Sequence, residues 1–303
     1  MPKQKVSLVL ASGGARGMAH IGVIEALENK GYSIAEVVGC SMGGVVGGLY
    51  ASGHLPAYRE WLENLSRADI LKLLDFTITK RGFLRGERVF NTILEMTGRH
   101  RIEELSLPFA TLATDVATGE EVVFREGDLF EALRATVSIP GLFTPVEQRG
   151  RQLIDGGVIN PLPLNLLQQR AHNLVVAVDI NAPSPLQAMA KPAQRNWLNL
   201  NWPWRRQDSK DEERSEDKTA EGESGGHSNV VDVLQISYDH MQNRLIRMME
   251  QAYPPQVLVE VPRNTCGMFE FYRAAEVIEA GREKMEAALD QWEARQAPSG
   301  REN

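Results

Sequence analysis

The stretch VSLVLASGGARGMAHIGVIEALENKG, residues 6–31, decides the fold of this chain. Its opening run, VSLVLA (6–11), is largely apolar and rich in β-branched residues, which is typical of a buried parallel strand. A glycine-rich loop, SGGARG (12–17), follows, and the apolar residues after it recur at helical spacing until Gly31. The stretch therefore predicts a strand, a tight glycine loop and a helix.

The same order of elements repeats along the chain. AEVVGCS (35–41) predicts a second strand, and MGGVVGGLYASG (42–53) follows it as the first glycine loop and helix follow the first strand. The segment 126–140 predicts another helix, ended by Pro140. Further strands are predicted at FATLAT (109–114), QLID (152–155), NLVVAVDI (173–180) and PPQVLVEVP (254–262). Because strands alternate with helical segments, the sequence predicts an α/β fold with a mainly parallel central sheet between helices.

Length, composition and charge exclude several classes of protein. The chain has 303 residues, of which 43% are hydrophobic and 24% charged, as in soluble globular proteins. Its net charge of −7 argues against nucleic acid as a partner, since such proteins normally carry a basic excess. Its two cysteines, Cys40 and Cys266, cannot form a disulfide framework, so a cytoplasmic location is expected.

Membrane insertion and secretion are not expected either. The apolar part of the opening residues is too short for the core of a signal peptide. No run of the sequence reaches the roughly 18–20 apolar residues of a membrane span. We therefore expect neither a secreted nor an integral membrane protein.

The chain divides into three predicted parts. Residues 1–183 are predicted to form the core domain. Residues 184–228 form a low-complexity insertion, which we expect to be disordered because 13 of the 22 residues at 205–226 are charged. Residues 229–303 predict a helix, a strand and a helix that pack on the core. The apolar residues at helical spacing are Leu234, Met241, Leu245 and Met248 in the first helix and Ile278, Met285, Leu289 and Trp292 in the second.

Three tryptophans lie close together within the predicted insertion. They are Trp197, Trp202 and Trp204, in the segment RNWLNLNWPWRR (195–206). Because tryptophan flanked by arginine suits a bilayer interface, peripheral contact with the inner face of the membrane is one interpretation of this segment. The alternative is a local cover over the sheet or a tether.

The strongest candidate site is GCSMG (39–43), which fits the G-x-S-x-G pattern of a nucleophile elbow. Ser41 ends a predicted strand and precedes a helical segment. A tight strand-to-helix turn needs small flanking residues, and Gly39 and Gly43 provide them. The turn would expose the Ser41 hydroxyl at the positive end of the helix, where an anionic intermediate is stabilised. The alternative is a glycine-rich, close-packing helix with a serine cap.

A serine nucleophile needs a base, and histidine is a poor candidate here. His172, His227 and His240 are late enough in the chain for the usual order, but none lies at the carboxyl end of a predicted strand. Asp155 does, and Gly156-Gly157 follows it in a tight turn. A partly buried carboxylate has a raised proton affinity and can act as the base directly. The alternative for Asp155 is a helix cap or a turn.

The loop at 12–17 has two possible functions. Dinucleotide binding through G-x-G-x-x-G is one, but Ser12 stands where the first glycine belongs. An oxyanion hole is the other, with the backbone N–H groups of Gly13 and Gly14 directed at a developing alkoxide. Arg16 would add positive charge or fix the loop by hydrogen bonds. Together with Ser41 in the next unit, the loop favours acyl transfer.

These three motifs, in this order, resemble the patatin-like phospholipase family. Its members carry a glycine-rich oxyanion loop, a G-x-S-x-G serine and a D-G-A/G aspartate. The resemblance covers residues 5–182 and points to the bacterial branch related to neuropathy target esterase. It extends to RGFLRGERVF (81–90), VSIPGLFTPV (137–146) and INPLPL (159–164).

The resemblance implies a three-layer α/β/α patatin-like fold and a Ser–Asp dyad without histidine. By this resemblance Ser41 is the nucleophile and Asp155 its base. The implied oxyanion-hole residues are Gly13, Gly14 and Arg16, and the implied motif glycines are Gly17, Gly39, Gly43, Gly156 and Gly157. Ser12 departs from the family's loop, which usually begins with glycine, but the expected donors remain.

The expected function is therefore a serine acyl hydrolase acting on lipid esters, of phospholipase A or lysophospholipase type. We expect no cofactor and no metal, because no Cys/His spacing indicates one. A short-chain carboxylesterase or thioesterase, and a regulatory protein that keeps the fold with little turnover, stay open as alternatives. The sequence leaves the oligomeric state, the acyl chain and the head group undetermined.

Overall fold

A central β-sheet organises the chain in a computed structural model that describes residues 3–73, 87–168, 170–183 and 230–297. The strands are β1 (Lys5–Leu10), β2 (Ser33–Gly39), β3 (Phe109–Asp115), β4 (Glu121–Phe124), β5 (Val146–Gln148), β6 (Arg151–Asp155), β7 (Leu174–Ala182) and β8 (Val257–Pro262). The helices are α1 (Ala19–Asn29), α2 (Met42–Ala51), α3 (Leu55–Glu63), α4 (Arg67–Leu73), α5 (Glu87–Thr97), α6 (Leu129–Thr136), α7 (Val230–Ala252) and α8 (Ala274–Gln296).

The strands are ordered β5-β6-β3-β2-β1-β7-β8, and β4 pairs with β3 beside this path. The neighbouring strands β3, β2, β1, β7 and β8 are parallel to one another, whereas β4 and β6 are antiparallel to β3. Leu10, at the end of β1, pairs with Gly39 on β2 and with Val178 on β7. The carboxyl ends of these strands therefore meet at one edge of the sheet, where sites of open α/β sheets lie.

Both faces of the sheet are covered. Consecutive residues are buried along β1, β3 and β7, which is the pattern of strands with helices on either side. The predicted α/β/α fold with a mainly parallel central sheet is confirmed. No helix within the described ranges is long and apolar enough to cross a membrane.

The helix predicted over 126–140 is shorter than expected. It begins at Leu129, where the Asp128 side chain caps it by accepting from the Glu131 N–H. It ends at Thr136, four residues before Pro140. Proline disfavours helical backbone at the residue before it, so the chain leaves the helix ahead of the proline.

The carboxyl-terminal segment contributes a strand to the sheet and a helix to its cover. β8 pairs with β7 in parallel, and α8 packs along α1 with Ile278, Met285 and Leu289 buried as predicted. In α7 the residues at helical spacing are only partly buried, since Leu245 is half-buried whereas Met241 is 58% exposed and Met248 49% exposed.

The buried face of α7 carries Gln242 and Ile246 instead. Helical spacing predicts the helix but not its orientation, because here a hydrogen-bonded polar side chain faces inward. The predicted insertion at 184–228, with its three tryptophans, lies outside the described residues. So do residues 81–86 of the segment 81–90, and the division at 183 and 229 stays a prediction.

α1 and α8 approach each other closely at two glycines. A Cβ atom on Gly22 would overlap the backbone carbonyl of Ile278, and one on Gly281 would overlap that of Ala19. Because backbone atoms on both sides form the contact, no rotamer change relieves it.

Gly281→Val is therefore expected to destabilise the protein by about 2 kcal/mol or more. The measurement is the urea concentration at the midpoint of unfolding, and the matched control is Ala287→Val at an exposed position of the same helix. Equal midpoints for the two variants would contradict the close packing of α1 on α8.

Candidate active site

The GCSMG motif forms a sharp turn between β2 and α2. Ser41 has φ 53° and ψ −123°, a strained conformation for a residue with a side chain. A Cβ on Gly39 would overlap the carbonyl of Gly43, and one on Gly43 would overlap the carbonyl of Leu10. The turn therefore requires glycine at both positions, and it leaves Ser41 at the N-terminus of α2, as the nucleophile-elbow pattern predicts.

Two hydrogen bonds hold this turn against the sheet and α6. The N–H of Cys40 donates to the Leu10 carbonyl at 3.0 Å, and the N–H of Ser41 donates to Thr136 Oγ1 at 3.0 Å. Thr111 Oγ1 donates to the same hydroxyl oxygen. Sequence reasoning did not identify Thr136, because a threonine at the end of a helix carries no signal of a distant backbone partner.

Asp155 ends β6 and faces Ser41 directly. The Ser41 hydroxyl donates to Asp155 Oδ2 at 2.5 Å, and the N–H of Gly157 donates to Oδ1 at 2.7 Å. Only 1% of Asp155 is exposed. β6 brings the carboxylate to this place because Asp155 pairs with Ala113 on β3, two residues beyond the Thr111 that pairs with Gly39 on β2.

Burial raises the pKa of the Asp155 carboxyl to about 7, against the smaller, opposite effects of the hydrogen bonds from Ser41 and Gly157. Removing a carboxylate from water disfavours its charged form, whereas donors stabilise it. The group therefore gains proton affinity but is still ionised in part near neutral pH. A pKa close to the working pH is what a general base requires.

Histidine is not connected to this pair within the described parts of the chain, where no histidine hydrogen bonds to Ser41 or Asp155. The buried His20 contacts the Ala11 carbonyl through Nε2, and burial lowers its pKa to about 4. The arrangement at Ser41 is a serine with a carboxylate and no imidazole between them.

The glycine loop at 12–17 leads into a 3₁₀ turn, Gly14–Met18. The first N–H groups of such a turn have no partner within it. The N–H of Ala15 donates to the Met268 carbonyl at 2.9 Å, whereas those of Gly13 and Gly14 donate to no residue in the described ranges. These two N–H groups are therefore free to donate hydrogen bonds to an anionic oxygen.

The Arg16 side chain is buried and turns toward β7 and β8. Its guanidinium donates to Asn181 Oδ1 at 2.9 Å and lies at 3.5 Å from the Arg263 carbonyl. Asn181 in turn donates to the Ser12 carbonyl at 2.7 Å. Burial lowers the pKa of Arg16. These contacts brace the glycine loop, which is one of the two roles that the sequence allows for this arginine.

The remaining motif glycines lie at contacts between elements of the site. A Cβ on Gly17 would overlap the Met42 side chain, and one on Gly156 would overlap the Leu112 carbonyl on β3. Gly157 provides the N–H bound by Asp155. The described residues contain no group of three or more His, Cys, Asp or Glu side chains arranged to hold a metal ion.

Ser41 opens onto a cavity whose lining is almost entirely apolar. The space between its lining residues, part of which is open solvent, is about 800 Å³. Val45 of α2, Trp61 of α3 and Phe90 of α5 contribute to its wall. A further part of the lining comes from a segment that sequence analysis did not connect with the site, and its residues are Met268, Phe269 and Phe271. Nothing in their sequence marks them, because they join the site only through the placement of β8.

Comparison with known proteins identifies the family of this chain. Residues 8–167 match the model of a family described as patatin-like phospholipase, which is a class of lipid ester hydrolases. This protein belongs to the patatin-like phospholipase family. The resemblance inferred from its three motifs is confirmed.

The relatives found by sequence carry names from the same branch of the family. An "Uncharacterized NTE family protein" of Mycobacterium bovis and one of Mycobacterium tuberculosis are each 35% identical to this chain over 335 residues. The alignments cover 95% of this chain and 92% of each relative. "Lysophospholipase NTE1" of Kluyveromyces lactis is 32% identical over 204 residues, which cover 65% of this chain and 14% of that protein. The crystal structure of VipD from Legionella pneumophila aligns with a TM-score of 0.47 and 13% identity, over 96% of this chain and 67% of VipD.

Ser41→Ala is expected to raise the pKa of Asp155 above its value of about 7. The hydrogen bond from Ser41 stabilises the charged carboxylate, so its loss favours the protonated form and moves the titration to higher pH. The measurement is a ¹³C NMR titration of aspartate carboxyl signals, with Asp155→Asn identifying the signal.

Ser52→Ala is the control, because its hydroxyl bonds to the Leu49 carbonyl at the far end of α2. A titration midpoint in Ser41→Ala that equals or falls below the wild-type value would contradict the direct bond.

Proposed function

We propose that this protein is a serine acyl hydrolase that cleaves carboxylic esters of lipids, of phospholipase A or lysophospholipase type. One observation carries the proposal: the Ser41 hydroxyl lies 2.5 Å from a buried carboxylate and on the wall of an apolar cavity. A nucleophile needs an adjacent base, and an acyl chain needs an apolar site. Ser41 meets both requirements.

In the first step Ser41 attacks the ester carbonyl. Asp155 Oδ2 takes the hydroxyl proton as the Ser41 oxygen forms a bond to the carbonyl carbon. The tetrahedral intermediate then collapses and its bond to the alcohol oxygen breaks. The proton on Asp155 passes to the leaving alcohol, and the acyl group remains on Ser41.

In the second step water releases the fatty acid. Asp155 takes a proton from the water as its oxygen bonds to the acyl carbon, and the bond to Ser41 then breaks. The proton returns to the Ser41 oxygen, so that the dyad is restored. The same carboxylate serves both steps, which its pKa of about 7 supports.

The negative oxygen of both intermediates needs hydrogen-bond donors. The free amides of Gly13 and Gly14, and the N-terminus of α2 at Ser41, supply positive ends of backbone dipoles near the reacting carbon. Loss of one such donor typically costs about 2.7–4 kcal/mol of transition-state stabilisation. Arg16 contributes through the loop that it braces.

The cavity favours a long acyl chain over the short-chain alternatives. A wall of Val45, Trp61 and Phe90 offers apolar contact along its length and few polar groups to orient a small substrate. The name of the Kluyveromyces lactis relative, a lysophospholipase, supports a lipid substrate.

Access to lipid and the place of action also belong to the proposal. Peripheral membrane contact through the tryptophans at 197, 202 and 204, and a cytoplasmic location at the inner face of the membrane, remain inferences from the sequence. The division into a catalytic core at 1–183, an insertion and a carboxyl-terminal segment is likewise an inference from the sequence.

Ser41→Ala is expected to abolish labelling by a fluorophosphonate probe, because the probe reacts only with an activated serine. Asp155→Asn is expected to lower kcat/KM for a phospholipid ester by about 10²–10⁴-fold, since general-base catalysis is lost. Labelling is read by mass spectrometry of the modified peptide, and turnover by released fatty acid.

Ser52→Ala and Asp290→Asn, an exposed aspartate on α8, serve as matched controls. Labelling that persists in Ser41→Ala would refute the nucleophile, and normal turnover in Asp155→Asn would refute the base. A folded wild-type protein without labelling or turnover would favour the regulatory alternative.

Val45→Phe is expected to shift the preference toward short acyl chains. Val45 lines the cavity one helical turn after Ser41, so a larger side chain there obstructs the acyl path. We expect kcat/KM for p-nitrophenyl dodecanoate to fall by about 10-fold, with p-nitrophenyl butyrate affected less than about threefold.

Val123→Phe on β4 is the control, because Val123 is 36% exposed and is not among the residues that line the cavity. An equal fall in kcat/KM for both esters in Val45→Phe would contradict binding of the acyl chain beside Val45.

A further inference from the structure

Helix α7 places one polar side chain between the two loops of the candidate active site. Gln242 is only 6% exposed. Its Nε2 lies 3.1 Å from Ser12 Oγ, 3.1 Å from the Gly157 carbonyl and 2.9 Å from the Tyr238 hydroxyl. One amide group therefore contacts the glycine loop after β1 and the turn after β6 at the same time.

The contact with Gly157 reaches the carboxylate through a single residue. The carbonyl of Gly157 accepts from Gln242, while the N–H of Gly157 donates to Asp155 Oδ1 at 2.7 Å. Both polar groups of Gly157 are thus held, one by α7 and one by the carboxylate. A shift of this glycine would change the donor that stabilises the charged form of Asp155.

The contact with Ser12 reaches the free amides of the glycine loop. Ser12 precedes Gly13, and its backbone is tied by its N–H to the Pro161 carbonyl and by its carbonyl to Asn181. Its hydroxyl is the group that meets Gln242. The loop is therefore bound from both sides, by β7 and by α7.

The Gln242 amide has two hydrogens for these partners. The Gly157 carbonyl can only accept, so one hydrogen is committed to it. The other is shared by the hydroxyl groups of Ser12 and Tyr238, which both accept from it. Burial, and next the negative charge of Asp155, raise the pKa of Tyr238, so its phenol stays neutral.

We propose that Gln242 is a positioning residue that sets the distance between the oxyanion loop and the turn that carries the base. This inference rests on the proposed function, since it names a residue that acts on the same site through Ser12 and Gly157. Gln242 lies outside residues 8–167, which match the family model, and belongs to the helix that follows the predicted insertion. The carboxyl-terminal segment therefore contacts the candidate active site and also adds a strand to the sheet.

Gln242→Met tests the proposal in the full-length protein, because methionine fills a similar volume without hydrogen bonds. Gln242→Glu is the second variant and exchanges only the amide NH₂ for oxygen. We expect kcat for p-nitrophenyl dodecanoate to fall by about 10-fold or more in each, with KM changed less than about threefold. Met241→Ala, at a residue that is 58% exposed on the same helix, is the matched control.

A second readout separates positioning from a purely structural role. In both variants the titration of Asp155, followed by ¹³C NMR, should move to higher pH than in the wild type, because its Gly157 donor is held less firmly. In Gln242→Glu the added negative charge acts in the same direction. Kinetics and titration that match Met241→Ala would overturn the proposal.

The outcomes also distinguish this proposal from the proposed function. A wild type without ester turnover would refute the proposed function, while the titration of Asp155 would still report whether Gln242 holds the turn. Loss of folded protein in both variants would show that Gln242 maintains the fold rather than the site, and would overturn the positioning role.

Discussion

The hydrogen bond between Ser41 and Asp155 is the interaction on which the site depends. It joins residues 114 positions apart, so no local preference brings them together. The sheet does so, because β2 and β6 both pair with β3 and end next to each other along it, with Gly39 opposite Thr111 and Asp155 opposite Ala113. The hydroxyl is presented by a parallel strand and the carboxylate by an antiparallel one. The pair therefore lies where the parallel and antiparallel parts of the sheet meet.

The same pair is costly for the folded state. Ser41 holds a backbone conformation that side chains disfavour, and Asp155 is an ionisable group with 1% of its surface exposed. The surrounding elements compensate: the Ser41 N–H is bound by Thr136, and the carboxylate by Gly157. The strained backbone of Ser41 and the buried carboxylate of Asp155 persist because the packed sheet holds both residues in place. Burial in turn raises the pKa of Asp155.

The sequence predicted those parts of the site whose signal is local. Gly39 and Gly43 are required by backbone overlap within a five-residue turn, so the motif itself reports the geometry. β1 and β7 are buried on both faces, and uniform apolar runs report that as well. For α7 the pattern predicted a helix but not the face that packs on the core, because Gln242 faces inward through hydrogen bonds to Ser12 and Gly157 that only the packed chain provides.

The amino-acid sequence alone thus determined the layered α/β class, and it predicted Ser41, Asp155 and the glycine loop as the candidate site. The tertiary structure decided which distant groups complete the site: the Thr136 hydroxyl, the Met268 carbonyl over the glycine loop, and the Gln242 amide. The physical reason is the separation along the chain over which each interaction acts. Backbone sterics and burial act within one element and leave a pattern in it, whereas a hydrogen bond between elements leaves no pattern in either partner's sequence.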